Sequence, residues 1–403
     1  MGEITIRQAR VDGSNKMICL KPENQVTVYA TKLLIKSMIS VVLFLGSAVC
    51  AQAQNAQPNS STEAWTATRE TYVANTNPSR TTESHAKFGN RSVDKQRVEV
   101  LGPDGQYQPD SETEKETVQV NTTTTRTMVR TYRWDGNGRR KLAQVTEEEA
   151  QSSASGDAQA VRTTWSSDVN GNLQVVRREV ADTRKTSPDA QETKTTVYLA
   201  DGNGGFTTPL QTQELQKRSA ANRVEVKKTT LVPDGNGNWE VGEVMEKTIK
   251  EDGKNRSTEE RVSRLDSDSK LSEFSRTVGE ETETTAGERS STVETFSKYV
   301  PGLAVDGSLH LKQRVTTFQK KNSDGDTTEE QVEQPNPGNP SDGPQVSGKT
   351  KYIVRYGASG AQQTKTVQVR DGNGTFNVVS VQTRESDQIL PVQVPKASSY
   401  KLQ

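Results

Sequence analysis

Asp-Gly turn signals recur along this chain at a nearly fixed interval, and that interval restricts the fold more than any other feature. They stand at Asp104-Gly105, Asp135-Gly136-Asn137-Gly138, Asp168-Val169-Asn170-Gly171, Asp201-Gly202-Asn203-Gly204, Asp234-Gly235-Asn236-Gly237 and, in degenerate form, Asp266-Ser267-Asp268-Ser269. The steps between successive Asp residues are 31, 33, 33, 33 and 32. Asp306-Gly307 follows 40 residues later and Asp371-Gly372-Asn373-Gly374 a further 65, with Asn336-Pro337-Gly338-Asn339-Pro340 where the skipped turn would fall. Such dipeptides tolerate positive φ and close tight β-hairpins. A looser family, including Ser155-Gly156, Ser187-Pro188-Asp189 and Asp252-Gly253, sits half a period away. The unit is therefore two strands and two turns, and a fixed period of this size marks a repeat array.

The segments between turns alternate with period two, as strands do. From Thr125 to Trp134, one face carries Thr125, Thr127, Val129, Thr131 and Arg133, and the other Arg126, Met128, Arg130, Tyr132 and Trp134. Five residues past the turn Asp comes Leu173, Phe206, Trp239 or Phe376, and two later Val175, Val241 or Val378. Three residues before it comes Tyr132, Trp165, Tyr198 or Leu231. These sets would meet across each hairpin, each pair contributing roughly 0.2–1 kcal/mol.

Leu, Ile, Val and Phe make up about 19% of the 403 residues, which argues against thick globular cores. Thr, abundant here, suits a pleated and half-wet surface. One repeat is too short for a four-stranded propeller blade. A membrane barrel needs an outward apolar band and aromatic girdles, whereas aromatics are 5% of this chain and both faces of the 125–134 strand carry Arg. The reading is an all-β, elongated antiparallel β-hairpin repeat array of period about 33 residues, with a thin core along the turn-proximal edge. A largely disordered chain and a compact barrel or sandwich are the alternatives.

Before the array, residues 31–53 have the parts of a secretory signal in order: Lys32 and Lys36, an apolar run from Met38 to Val49, and a small-x-small site at Ala51-Gln52-Ala53. The apolar run is shorter than the roughly 20 residues a spanning helix needs. Some 30 residues precede this signal, which places the expected translation start downstream, near Leu33 or Leu34. Val49 before Cys50 argues against lipidation. Cys19 and Cys50 both fall in the part to be removed, so the mature chain has neither disulfide nor thiol chemistry. The domain reading is a leader over 1–53, a disordered linker over 54–65, the array over 66–390 with a loose Pro- and Gly-rich insertion at 334–348, and a tail over 391–403.

No catalytic, cofactor-binding or metal-ligating constellation emerges, so no site residue, cofactor or metal is assigned. The DGNG turns share part of the calcium-loop pattern, but counting from Asp234 the position that needs a bidentate carboxylate is Met245. His85 and His310 lie in different repeats without a nearby nucleophile and read as solvent-exposed strand residues. Asp182, Glu192, Glu259 and Glu260 read as solvated charges. The Gly-rich turns lack the helix and Lys of a phosphate loop. With 52 basic and 52 acidic residues the chain has no net charge to gather nucleic acid. The Asp-x-Asn-Gly turns between Thr- and Arg-rich strands resemble the YD/Rhs class of bacterial extracellular β-repeats. The resemblance covers the turns alone, since the Tyr-Asp dipeptide of that class is absent from them and the period is longer.

These features point to a noncatalytic, exported structural or interaction protein of the cell envelope or extracellular space. It is expected to bind no nucleic acid and not to span a membrane, and to meet envelope components or other copies of itself. The competing reading is a secreted carbohydrate-binding module using the turn aromatics Trp165 and Trp239, or a carboxylate-based hydrolase.

Overall fold

The computed structural model describes residues 63–386, apart from 267, 285–286, 304–305, 324, 337, 340–341 and 358–359. The leader with both cysteines, the linker up to residue 62 and the tail 391–403 lie outside the described residues. Within them the chain forms strand after strand: β1 (Glu63–Val73), β2 (Ser79–Phe88), β3 (Arg91–Leu101), β4 (Tyr107–Gln119), β5 (Thr124–Trp134), β6 (Arg140–Ser152), β7 (Ala158–Ser167), β8 (Leu173–Ser187), β9 (Ala190–Ala200) and β10 (Phe206–Ala220). The second half repeats the plan with β11 (Arg223–Pro233), β12 (Trp239–Asp252), β13 (Asn255–Leu265), β14 (Leu271–Glu283), β15 (Glu288–Ser297), β16 (His310–Asn322), β17 (Gly325–Pro335), β18 (Pro344–Gly357), β19 (Gly360–Arg370) and β20 (Phe376–Ser386). The Pro- and Gly-rich stretch 334–348 supplies the β17–β18 connection and the strand ends beside it.

Each strand pairs antiparallel with its sequence neighbours, and β1 also pairs antiparallel with β20, from Ala67 opposite Ser386 to Val73 opposite Ser380. The twenty strands are thus one closed sheet. This corrects two expectations. The hairpins do not form an open elongated row, because the last pairs with the first; the barrel alternative fits instead. The expectation that the chain does not span a membrane is also overturned. A closed sheet of an even number of antiparallel strands leaves no edge with unpaired backbone groups, and it is the form in which strands cross bilayers.

Why the row curls shut is visible at the turns. Asp168 Oδ1 accepts the backbone N–H of Asn170 and of Asn172, both at 2.8 Å, and its own N–H donates to the Asn172 carbonyl at 2.9 Å. Asp135, Asp201, Asp234, Asp266 and Asp371 make the same pair of carboxylate contacts. The residue three beyond the Asp turns left-handed, as at Gly171 (φ 86°) and Gly237 (φ 89°), and Ser269 adopts φ 57° in the degenerate copy.

From β3–β4 to β19–β20, each Asp-Gly hairpin carries a register shift close to its turn. In five of them the extra residue stands eight past the Asp, at Ala143, Val176, Gly242, Phe274 and Val379. Pro209 lies in the irregular stretch of β10, where a missing N–H removes no ladder bond. A bulge bends its strand and increases local twist, and bulges at equivalent places along a meander give it uniform curvature. Followed round the sheet, the registers return to β1 displaced by about one residue per strand, the stagger that goes with a tilt of roughly 35–45° in closed barrels.

The two faces of the closed sheet differ. Every buried strand residue among those described falls on one face, the face of Thr125 to Arg133: Ala67, Thr81, Glu179, Ala181, Val197, Thr212, Val224, Val226, Lys247, Ile249, Ser297, Thr328, Thr350, Val354 and Ala361. Side chains converge on the concave side of a closed sheet, so this is the inward face. Ile249, Val197 and Val226 are its largest fully buried side chains. The core therefore is not along the turn-proximal edge. The apolar residues there, such as Phe206 and Leu271, each remain 47% exposed.

Candidate functional site: the inward face

The inward face is built from small β-formers interrupted by ions in pairs. Thr pairs bridge adjacent strands, with Oγ1 atoms 3.2 Å apart at Thr146–Thr164 and 2.9 Å apart at Thr183–Thr193. The strand alternation puts every second residue here, so the Thr periodicity in the sequence becomes a hydroxyl lining in the fold.

Beside β1, where the barrel closes, Glu83 accepts from Arg384 at 2.8 Å and lies 3.7 Å from Arg69. Next to it on β2, the His85 imidazole stacks on Trp65 with ring centres 5.8 Å apart, and its Nδ1–H donates to Asp94 Oδ1 at 2.6 Å. His85 is half-buried and paired rather than free in solvent, the environment its sequence position alone suggested. A third of the way round, Glu179 on β8 is buried against Arg162 and Arg177, and Arg162 also meets Glu148. Farther on, the buried Lys247 ammonium reaches Glu260 at 3.1 Å, and Arg264 donates to Glu243 at 2.7 Å. Each of these cations has a carboxylate beside it, which is how charge is accommodated away from water.

The residues singled out in the sequence are scattered by the fold. His310 sits at the Asp-Gly rim, its Nε2 3.0 Å from Asp306 Oδ1, far along the chain from His85. Asp182 accepts from Gln159 at 2.8 Å and Glu259 from Arg261 at 2.7 Å, both on the outward face, while Glu260 turns inward to Lys247. In the DGNG turns, one carboxylate oxygen of each Asp is taken up by two backbone amides of its own loop. Those residues are explained as turn formers. Among the described residues no group of three or more His, Cys, Asp or Glu side chains converges on a common point.

The outward face has two zones. Nearest the Asp-Gly turns it is apolar: Trp165 faces Val175, Leu231 faces Val241, Leu265 faces Leu271 and Phe296 faces Leu311. The cross-strand meeting expected of the turn-flanking residues is thus present. Farther from the turns the outward face is a ladder of exposed ion pairs: Lys95–Glu114 at 3.3 Å, Lys227–Glu246 at 3.1 Å and Lys351–Glu329 at 2.9 Å. The alternation was legible in the sequence. That one set of faces closes inward was not, because it depends on a pairing between residues more than 300 positions apart.

No protein-family model matches the chain, and no curated relative matches it. Among solved structures, Pseudomonas aeruginosa OccK5 (OpdH) is similar with a TM-score of 0.43 at 9% identity, covering 82% of this chain and 98% of that one. The copper transporter OprC follows with a TM-score of 0.41 at 8% identity, covering 83% and 81%. The FrpB iron transporter from Neisseria meningitidis has a TM-score of 0.40 at 7% identity, covering 82% and 74%.

Proposed function

We propose that the chain is a noncatalytic barrel of the cell envelope whose inward face lines a passage for hydrophilic solutes. The observation that carries this reading is the composition of that face: a closed ring of twenty strands, hydroxyl-rich, carrying ion pairs of both signs. Side chains fill barrels of about eight strands, and those of 16–18 leave an aqueous channel, so twenty strands enclose more space than side chains of this size occupy. The secretory signal over residues 31–53 supports export to the envelope. Paired charges of both signs favour small polar solutes with little preference for either ionic sign.

Single-channel recording of the purified mature chain in a planar bilayer tests this. Discrete conductance steps with weak anion–cation selectivity are expected. Folded protein that leaves the bilayer insulating, at concentrations where a porin control conducts, removes the passage reading.

A further inference from the structure

We infer that the outward apolar collar beside the Asp-Gly turns is a lipid-contacting surface, by which one rim of the barrel is set into the interfacial layer of a membrane.

The collar exists only once the sheet closes. Trp134, Trp165, Phe206, Trp239, Leu271 and Phe376 come from successive or nearby hairpins, yet all stand on the outward face within a few residues of an Asp-Gly turn. Phe206 and Leu271 are each 47% exposed and Trp239 37%. Adjacent outward rows, such as Trp134 and Tyr132, lie about 7 Å apart along the strand, so two rows match the roughly 5–10 Å to which interfacial elements bury their apolar side.

Three features select lipid over other occupants. First, equivalent positions recur on hairpins spread round the ring, from β5–β6 to β13–β14 and again at β19–β20, so a partner that follows the ring meets them alike. A peptide or glycan would occupy one arc, and a second copy stacked on the rim would meet the turns rather than the flank. Second, the residues include Trp and Tyr, amphipathic rings that favour the boundary between headgroups and acyl chains. Third, cations lie over collar rings: Arg140 Cζ is 3.5 Å from the Tyr132 centroid, Arg80 Cζ 4.1 Å from that of Tyr107 and Lys349 Nζ 4.5 Å from that of Phe376. Such groups snorkel toward phosphates while their stems stay on apolar surface.

The inference depends on ring closure and not on a solute passage, so the two fail separately. The test is flotation of the mature chain with phosphatidylethanolamine/phosphatidylglycerol vesicles, together with tryptophan quenching by brominated lipid. Co-flotation is expected. A protein keeping only Trp165 should be quenched, and one keeping only Trp65, inward on β1 near the opposite end, should not. F206E/W239E/L271E should lower vesicle partitioning by about tenfold or more with an unchanged circular-dichroism spectrum. F88E/L215E, at exposed residues away from the collar, should leave it intact. If the triple variant does not fold, the two single-tryptophan proteins still decide. Absence of flotation, equal quenching of Trp65 and Trp165, or undiminished binding by the folded triple variant overturns the inference. So does a defined dimer abolished by the triple variant, which would assign the collar to a second copy.

Discussion

Arg384 Nη2 donates to Glu83 Oε2 at 2.8 Å although 301 residues separate them in the chain. Glu83 is on β2 and Arg384 on β20, so the bond reaches across β1 and clasps the place where the barrel closes. Both side chains are about four-fifths covered, at 18% and 21% exposure. Arg384→Ala leaves Glu83 with the more distant Arg69 alone. Losing a partly buried bond to a charged group costs roughly 1–3 kcal/mol, and the urea midpoint should fall accordingly. An unchanged midpoint would mean that the backbone ladder of β1 and β20 closes the ring without help from this pair.

The turn glycines separate two roles within one motif. Gly138 has φ 72°, and an added Cβ would meet nothing within 4 Å, so a Gly138→Ala cost is purely conformational. A left-handed L-residue costs roughly 1–2 kcal/mol. Gly136 in the same turn is not left-handed and is equally open. Gly136→Ala should be neutral or stabilise by roughly 0.4–1 kcal/mol through the unfolded chain. Thermal melts of the two single variants check the contrast, and equal losses would defeat it.

Acid should loosen the turns. The Arg139 amide holds the Asp135 carboxyl below the usual carboxylate range, the Asn172 amide that of Asp168, the Asn238 side chain that of Asp234 and the Thr375 amide that of Asp371. A carboxyl lowered on folding adds stability above its unfolded pKa of about 3.9, and that stability is lost as pH falls through the lower folded value. Stability should therefore drop below about pH 4. Replacing all four by Asn should flatten the slope of the denaturation midpoint against pH in that region. A slope identical to that of the parent would show that these carboxylates do not link folding to protons.

The leader makes a separate claim. Signal-peptidase cleavage after Ala53 should leave Gln54 as the first residue of the exported chain. Mass spectrometry of the N-terminal peptide from the envelope fraction checks this, and recovery of an intact leader there would count against it.

Local features of the sequence determined the strands, the turns and the two alternating faces. The Asp at each turn closes its own loop through amides two and four residues ahead, and Trp165 meets Val175 one hairpin away, so both relations are carried by short-range spacing. The bulges at Ala143, Val176, Gly242, Phe274 and Val379 are equally local, eight residues past each Asp, yet nothing in residue type marks them: they are Ala, Val, Gly, Phe and Val. Their shared height gives these five hairpins curvature of the same kind. Whether such a row stays open or closes depends on that small curvature summed over twenty strands and on the Ala67–Ser386 register that ends it. Only the tertiary structure decided this, and with it which face became a buried, ion-paired lining and which carries an aromatic collar. The physical reason is that closure rewards a pairing between the two ends of the array, an interaction that no window of sequence contains.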